Sequence, residues 1–143
     1  MSARIAASAL AVTATLAVPT PSFAATGAEA GAATSTSTAV CSTGSAVGRP
    51  CVWHERDDDG ITGLARLTPT DARPVLAKVE LRTQRAWGSP WVTVASVTSI
   101  RTGGGTSVLA TPKVATDDLG IVCVTTSPVF APAEKVTTCT NPG

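Results

Sequence analysis

The feature that most limits the fold is the alternation of apolar and polar residues, and its clearest example is PVLAKVELRTQR at 74–85. Val75, Ala77, Val79 and Leu81 alternate there with polar residues, which places the four on one face of a β-strand. That pattern is typical of an antiparallel strand with one buried and one wet face. No segment shows sustained helical periodicity, so the sequence predicts an all-β protein.

Other segments follow the same rule. One has four small or apolar residues on a single face: Ile61, Gly63, Ala65 and Leu67. WVTVASVTSIR at 91–101 is rich in β-branched residues and is predicted as a strand. Its apolar phase changes between Val94 and Val97, which predicts a bulge there.

The second half of the chain adds shorter strands. In TSVLATPKV at 106–114 we expect Val108, Ala110 and Val114 to share a face, and Pro112 restricts the segment to a sheet edge. GIVCVTT and EKVTTCT are predicted as the last two strands. About seven short strands separated by turns predict an antiparallel β-sandwich of immunoglobulin-like or fibronectin-like architecture.

The amino-terminal 24 residues have the layout of a secretory signal peptide. Arg4 precedes an apolar run, and small residues at Ser22 and Ala24 indicate cleavage after Ala24. The run is too short for a membrane span. Residues 25–40 are almost entirely Ala, Gly, Ser and Thr and are predicted as a flexible linker, so the domain is expected at 41–143. The protein is therefore predicted to be secreted into the extracellular medium.

Four cysteines in an exported chain indicate two disulfides: Cys41, Cys51, Cys123 and Cys139. Three pairings exist, and the local one, first with second and third with fourth, closes the smallest loops and is our prediction. A bridge between the second and third cysteines would resemble the immunoglobulin inter-sheet disulfide. Trp53 follows its cysteine too closely for that pattern. The spacing does not match a zinc site.

The charge balance limits the partners. Eleven Lys and Arg oppose ten Asp and Glu, and signal cleavage removes Arg4, which leaves the mature chain formally neutral. Nucleic acids and anionic membranes demand a basic face, so neither is expected as a partner. No cofactor is predicted. The partner is predicted to be an extracellular protein or polysaccharide, and the protein is predicted to be a monomer.

The segment CVWHERDDDG at 51–60 holds the chain's one histidine beside a glutamate and three aspartates. If it is a strand, His54 and Glu55 point to opposite faces and cannot act on one substrate atom. Asp-Gly is a strong hairpin-turn signal, so DDDG is predicted as a solvated turn. A calcium loop using Asp57 and Asp59 is the alternative, although the spacing and end of an EF-hand are absent.

No catalytic constellation emerges from the other residues. The carboxylates available for a hydrolase are not spaced in a way that selects a pair: Glu55, Asp57, Glu80 and Glu134. A small hydrolase built around His54 stays open as an alternative. So does a hydrolase inhibitor that presents the loop between Cys41 and Cys51, with Arg49 for a trypsin-like pocket and Pro50 fitting such a cleft badly.

The tryptophans are the remaining candidates for ligand binding. Trp87 and Trp91 flank the turn WGSP, and exposed tryptophans on secreted β-sandwiches stack on sugar rings in many carbohydrate-binding modules. Trp53 and His54 complete the candidate set. The competing interpretation places these aromatics in the core or across a hairpin. The sequence therefore predicts a non-catalytic binding or interaction module.

The Ala- and Thr-rich signal, the lack of tyrosine and the two disulfides resemble the small secreted β-sandwich proteins of actinomycete bacteria. Two families of that style are the neocarzinostatin-type chromophore carriers and the tendamistat-type amylase inhibitors. The nine residues between Cys41 and Cys51 are similar to the carrier family, whereas Cys123 to Cys139 is wider than its second bridge. The WHER segment does not reproduce the Trp-Arg-Tyr loop of the inhibitors. The resemblance assigns no functional residue.

Overall fold

The computed structural model describes residues 33–43, 47–70 and 72–143, and the predicted signal peptide at 1–24 lies outside them. Within these ranges the protein is all-β, as the sequence predicts, with nine strands in two antiparallel sheets. The same ranges contain no helix of the length and apolarity that crossing a membrane requires.

The strands are, in chain order, β1 (Ser35–Thr36), β2 (Val40–Cys41), β3 (Cys51–Asp57), β4 (Gly60–Leu67), β5 (Val75–Gln84), β6 (Val92–Arg101), β7 (Ser107–Ala110), β8 (Leu119–Pro128) and β9 (Val136–Cys139). The first sheet has the order β1-β3-β4-β7, with β2 also paired to β3. The second sheet has the order β6-β5-β8-β9. The edge formed by β1 and β2 is short and interrupted.

The two sheets share one apolar core. It is built from small and branched aliphatic side chains of both sheets: Val52, Ile61, Ala65, Leu67, Ala77, Val79, Leu81, Leu109, Val122 and Val124. The predicted alternation in β4 and β5 is confirmed, because every second residue is buried in each strand. Across the stack, β2 lies against β9 on one side and β6 lies against β7 on the other.

The predicted irregularity in β6 is confirmed. Leu81 pairs with Ala95 while the next residue, Arg82, pairs with Thr93, which leaves Val94 as an extra residue on β6. The bulge therefore begins at the first of the two valines between which the apolar phase changes.

Val108 and Ala110 share a face of β7, as predicted, but it is the exposed face, and Val114 is not part of the strand. Leu109 is the buried residue of this strand, whereas Val108 is 52% exposed and Ala110 is also exposed. Because the strand ends at Ala110, Val114 belongs to the following connection and pairs with Ile61 in an isolated bridge. The strand does lie at a sheet edge, as Pro112 indicates.

Both predicted disulfides are confirmed. Cys41 pairs with Cys51 between β2 and β3, and Cys123 pairs with Cys139 between β8 and β9. Each bridge joins directly opposed residues of neighbouring antiparallel strands, with Cα atoms 3.9 and 4.1 Å apart. The disulfides therefore fasten edge strands within a sheet and do not join the two sheets.

Part of the segment predicted as a linker takes part in the first sheet. Ser35 and Thr36 pair with Arg56 and Glu55, and the backbone N–H of Ser37 donates to the carbonyl of His54. Composition alone misses this pairing because a sheet edge needs only backbone hydrogen bonds and no apolar side chains. The ordered structure thus begins before Cys41.

The turns gather at two ends of the strands. The β3–β4 turn at Asp58 and Asp59, the β5–β6 turn and the β7–β8 connection lie at one end, which we call the Trp87 end. The β4–β5, β6–β7 and β8–β9 connections lie at the other, which we call the Phe130 end. The predicted DDDG turn is confirmed, with Asp57 opposite Gly60.

Gly60 gives a direct test of how the Trp87 end is packed. Its φ is +135°, and a Cβ built there would overlap the carbonyl group of Val114. We expect Gly60→Ala to lower the free energy of unfolding by roughly 2–4 kcal/mol, because backbone strain and overpacking add. Urea unfolding followed by circular dichroism measures the effect.

Two control glycines separate these causes. Gly103 has a φ of +86° and open space around it, so Gly103→Ala should lower the stability by about 1 kcal/mol. Gly104 has open space and no such φ, so its alanine variant should be close to neutral. Equal stability of the Gly60 and Gly104 variants would show that the Val114 carbonyl is not packed as described.

Candidate functional site

The β5–β6 turn holds Trp87 in the solvent. Ser89 closes the turn by donating from its backbone N–H to the Ala86 carbonyl at 3.0 Å and from its hydroxyl to the same oxygen at 2.7 Å. Gly88 has a φ of +88°, as the third residue of a type II turn requires. The Gln84 amide donates to the Ser89 carbonyl from within the strand. Trp87, at the second position, is 79% exposed.

The large apolar side chain of this turn, that of Trp87, is therefore exposed to solvent and not packed in the core. A tryptophan left in water forgoes the free energy of burial, about 25 cal/mol for each Å² of apolar surface. The backbone of the turn that carries it is held by several hydrogen bonds, so the position of the residue in the turn is set before any partner binds. Exposure alone does not mark a binding surface, since Phe130 is 87% exposed, but Trp87 adjoins a cleft in the chain as well.

A cleft of about 400 Å³ opens beside this turn. Its lining combines apolar side chains with two charged and two hydroxyl residues: Thr83, Arg85, Ser89, Pro90, Val92, Val94 and Asp118. Trp87 does not line the cleft itself but lies in the chain between two residues that do, Arg85 and Ser89. The volume falls within the range of small-molecule sites.

The cleft exists because the two sheets do not match in length at this end. Val92 pairs with the buried Thr83 and so faces the first sheet, and Val94 is the bulge residue beside it. The opposing strand β7 has only four residues and does not reach them. Val92 and Val94 are therefore 56% and 40% exposed although they adjoin the core.

Arg56 fixes the wall of the cleft that the β7–β8 connection forms. Its guanidinium group donates to the carbonyl oxygens of Thr116 at 2.7 Å and Asp118 at 2.6 Å. Lys113 also ties this connection to the first sheet, through an ion pair of 2.6 Å with Asp57. The position of Asp118 in the cleft thus depends on a strand of the first sheet.

His54 lies on the opposite face of β3 from Trp53 and Glu55, as the alternation predicts. It is 5% exposed, and Gly143 packs against the edge of its ring. No group in the described ranges hydrogen-bonds its Nδ1 atom. Burial, and secondarily the charge of Arg56, lowers the pKa of this imidazole below its usual value. The ring is placed as a neutral core side chain without open access for a substrate.

Trp53 contributes to a second, smaller site on the outer face of the first sheet. A groove of about 220 Å³ runs between the interrupted edge and β4, lined by Thr36, Ser37, Ala39, Cys51, Trp53 and Arg66. The indole N–H donates to Glu55 Oε1 at 3.3 Å, and an Arg66 N–H contacts the Cys51 sulfur at 3.7 Å. The structure therefore separates Trp53 and His54 from the Trp87 turn.

Asp57, the first of the two calcium candidates, binds groups of the protein itself, whereas Asp59 is exposed in the turn. Asp57 Oδ1 accepts the backbone N–H of Asp59 at 3.0 Å, and its Oδ2 pairs with Lys113. The hydrogen bond from Lys113 is the main cause of a lowered pKa at Asp57. Across the described part of the chain, no three carboxylate, imidazole or thiol side chains are grouped as a metal site requires.

The carboxylates considered for a hydrolase do not converge. Glu55 lies on the outer face of the first sheet, whereas Glu80 lies on the outer face of the second. Lys78 and Arg82 flank Glu80 at 2.8 and 2.7 Å, and hydrogen bonds from these two groups lower its pKa. Glu134 lies in the β8–β9 turn at the Phe130 end.

The loop considered for inhibition lies partly outside the described residues, at 44–46. Arg49 is exposed, with a φ of 37° in the left-handed region, and Pro50 is buried. Trp91, the other turn tryptophan, is half-buried immediately before β6.

Sequence reasoning identified the turn but missed the cleft next to it. The cleft residues come from three separate segments, and only their folding together makes a site. Two signals were present: the phase change in the β6 segment and the proline that stops β7 after four residues. Together they indicate a corner where one sheet leaves the other uncovered.

Comparison with known proteins adds no identification, since no family model, no curated protein and no solved structure matches the chain.

The burial of His54 predicts a pH-dependent stability. An unfolded chain binds a proton near pH 6.5, and the folded imidazole binds it only at lower pH, so stability is lost as the pH falls below about 6.5. His54 is the chain's one histidine, and histidine is the side chain whose ordinary pKa lies between pH 7 and 5. Urea unfolding at each pH should show a loss of up to about 1.4 kcal/mol per pH unit.

His54→Gln is the control, because glutamine keeps a polar side chain of similar size and does not titrate. Whatever its stability at pH 7, its free energy of unfolding should change little between pH 7 and 5. Parallel pH profiles for the two proteins would rule out His54 as the source of the dependence.

Proposed function

We propose that the protein is exported and acts as a non-catalytic binding module whose binding site is the Trp87 end. The observation that carries the proposal is the exposed Trp87, which a hydrogen-bonded turn carries next to a cleft of mixed apolar and polar lining. Export is supported by the signal-like amino terminus and by the two disulfides, which persist in oxidising surroundings.

The fold type belongs to the same proposal. The strands β3 to β9 divide into a sheet of three, β3-β4-β7, and a sheet of four, β6-β5-β8-β9. Hairpins join β3 to β4, β5 to β6 and β8 to β9, while the other connections cross between sheets. We interpret these seven strands as a fibronectin-like or immunoglobulin-like sandwich, with β1 and β2 as additions to one edge.

The partner that best suits this end is a polysaccharide. A sugar ring has an apolar C–H face, which an exposed indole can cover, and a rim of hydroxyl groups that need hydrogen-bond partners. Thr83, Ser89, Arg85 and Asp118 supply donors and acceptors of both charges within the adjoining cleft. The neutral overall balance of the mature chain leaves no strong field that would favour a highly charged polymer.

The cleft's mixture of one cation and one anion agrees with a ligand rich in hydroxyl groups. A hydroxyl can accept from the guanidinium of Arg85 and donate to the carboxylate of Asp118, whereas a purely ionic ligand would be repelled by one of them. The exposed Val92 and Val94 add apolar surface for the faces of further sugar rings.

The test is binding to a panel of soluble and insoluble polysaccharides, including bacterial cell-wall material, by affinity electrophoresis and pull-down. Tryptophan fluorescence of the mature protein reports contact with the indoles directly. Trp87→Ala should weaken binding to the polysaccharide that the native protein retains by roughly tenfold, which corresponds to about 1.4 kcal/mol.

Phe130→Ala is the matched control. Phe130 is also a turn aromatic, 87% exposed, but it lies at the Phe130 end of the strands. Its removal should leave binding unchanged. The proposal fails if the two variants bind alike, or if the native protein is retained by no polysaccharide in the panel.

A further inference from the structure

The four sheet edges of this protein differ in how well they are protected. The edge of β1 and β2 is interrupted and is joined to β3 by a disulfide. The edge strand β9 has four residues and a disulfide to β8, and the edge strand β7 has four residues and ends two residues before Pro112. The edge strand β6 has ten residues and neither protection.

The free part of β6 begins after its bulge. The extra residue Val94 distorts the ladder at the Trp87 end, which blunts that part of the edge. From Ala95 to Arg101 the strand pairs with β5 in regular register. This segment, ASVTSIR, has no charge before its last residue. We call Ala95–Arg101 the free edge.

The register of the second sheet shows which backbone groups the free edge presents. Cys123 and Cys139 oppose each other at a Cα distance of 4.1 Å, which is typical of a non-hydrogen-bonded pair. Hydrogen bonding alternates from pair to pair and from one side of a strand to the other. Glu80 therefore bonds towards Cys123, and its pairing with Ser96 is of the non-hydrogen-bonded kind.

It follows that the N–H and C=O groups of Ser96, Thr98 and Ile100 point away from β5. The edge thus offers three donor and acceptor pairs at alternate residues, the spacing that another strand needs for antiparallel pairing. Their side chains lie on the outer face of the second sheet, and Ile100 is 59% exposed.

We propose that two copies of the protein pair antiparallel through their free edges, around a two-fold axis at Thr98, and join their second sheets into one of eight strands. Thr98 then opposes Thr98 of the second copy, and Ile100 opposes the other copy's Ser96. Arg101 opposes Ala95, so no two like charges meet across the new ladder.

A second copy is favoured because the free edge is complementary to itself. The two-fold rotation at Thr98 places the outer face of one copy beside the outer face of the other. Ser96, Thr98 and Ile100 of both copies then lie on the outer face of the joined sheet, and the intervening residues lie on the inner face. Ile100 lies next to the partly exposed Leu76 in the same row, so pairing covers part of the apolar surface of the outer face.

The assembly closes at two copies. A two-fold contact uses the same edge on both molecules, so the edge strands that remain at the ends of the joined sheet are the two copies of β9. These are short and disulfide-bound, and they offer little ladder for further growth. The structure therefore favours a dimer over an open fibre, and this departs from the monomer that the sequence predicts.

Sedimentation velocity over a range of concentrations of the mature protein tests the proposal. The native protein should show a concentration-dependent dimer. Thr98→Lys places two ammonium groups directly opposite each other at the axis and should weaken the dimer by at least about fivefold.

Thr137→Lys is the matched control. Thr137 is an exposed threonine on β9, in the same cross-strand row as Thr98, so it adds the same charge to the opposite edge of the same sheet. This variant should dimerise like the native protein. Circular dichroism of both variants verifies that the fold is retained.

A charge-pairing experiment makes the result specific to the axis. Thr98→Lys and Thr98→Glu should each dimerise poorly alone, and an equimolar mixture should regain the dimer. A native protein that stays monomeric up to roughly millimolar concentration would overturn the proposal. Equal behaviour of the Thr98 and Thr137 lysine variants, or a mixture that stays monomeric, would also overturn it. None of these outcomes depends on polysaccharide binding.

Discussion

The organisation of this protein depends on two covalent bonds between neighbouring edge strands. Strands of two and four residues, such as β2 and β9, form few hydrogen bonds with their neighbours. Each disulfide joins such a strand to a longer neighbour, and each contributes about 3 kcal/mol by restricting the conformations of the unfolded chain. Because β2 lies against β9, both bridges protect the same side of the two sheets.

No disulfide joins the strands on the opposite side of the two sheets, where β6 and β7 lie. The cleft and the free edge are both on this side. β6 extends well beyond β7 at the Trp87 end, so valines that adjoin the core face solvent in a cleft. The wall of that cleft is held by Arg56 through two carbonyl oxygens of the β7–β8 connection, and by the ion pair of Lys113 with Asp57. His54 is buried between the sheets, and Arg56, two positions later, holds the connection that forms one wall of the cleft.

The sequence predicted the strands from β3 to β9, the disulfide pairing, the DDDG turn and the bulge. Each of these depends on residues close together in the chain or on a simple alternation. The sequence was not sufficient where a feature depends on how strands from distant parts of the chain pack or pair with each other. The pattern around Pro112 does not reveal that Leu109, and not the face of Val108 and Ala110, is turned to the core. The edge pairing of Ser35 and Thr36 uses backbone groups only, and the cleft needs the unequal lengths of β6 and β7.

The bulge at Val94 separates two parts of β6 that have different surroundings. On the Trp87 side of it, Val92 and Val94 line the cleft, and on the other side the regular ladder from Ala95 to Arg101 forms the free edge. Pairing through the free edge would thus use the backbone of Ala95–Arg101 and none of the residues that line the cleft. Because the copies would pair antiparallel, their Trp87 ends would lie at opposite ends of the joined sheet. A polymer with repeated units could engage both ends, and the second contact would then form at the high effective concentration that linkage gives.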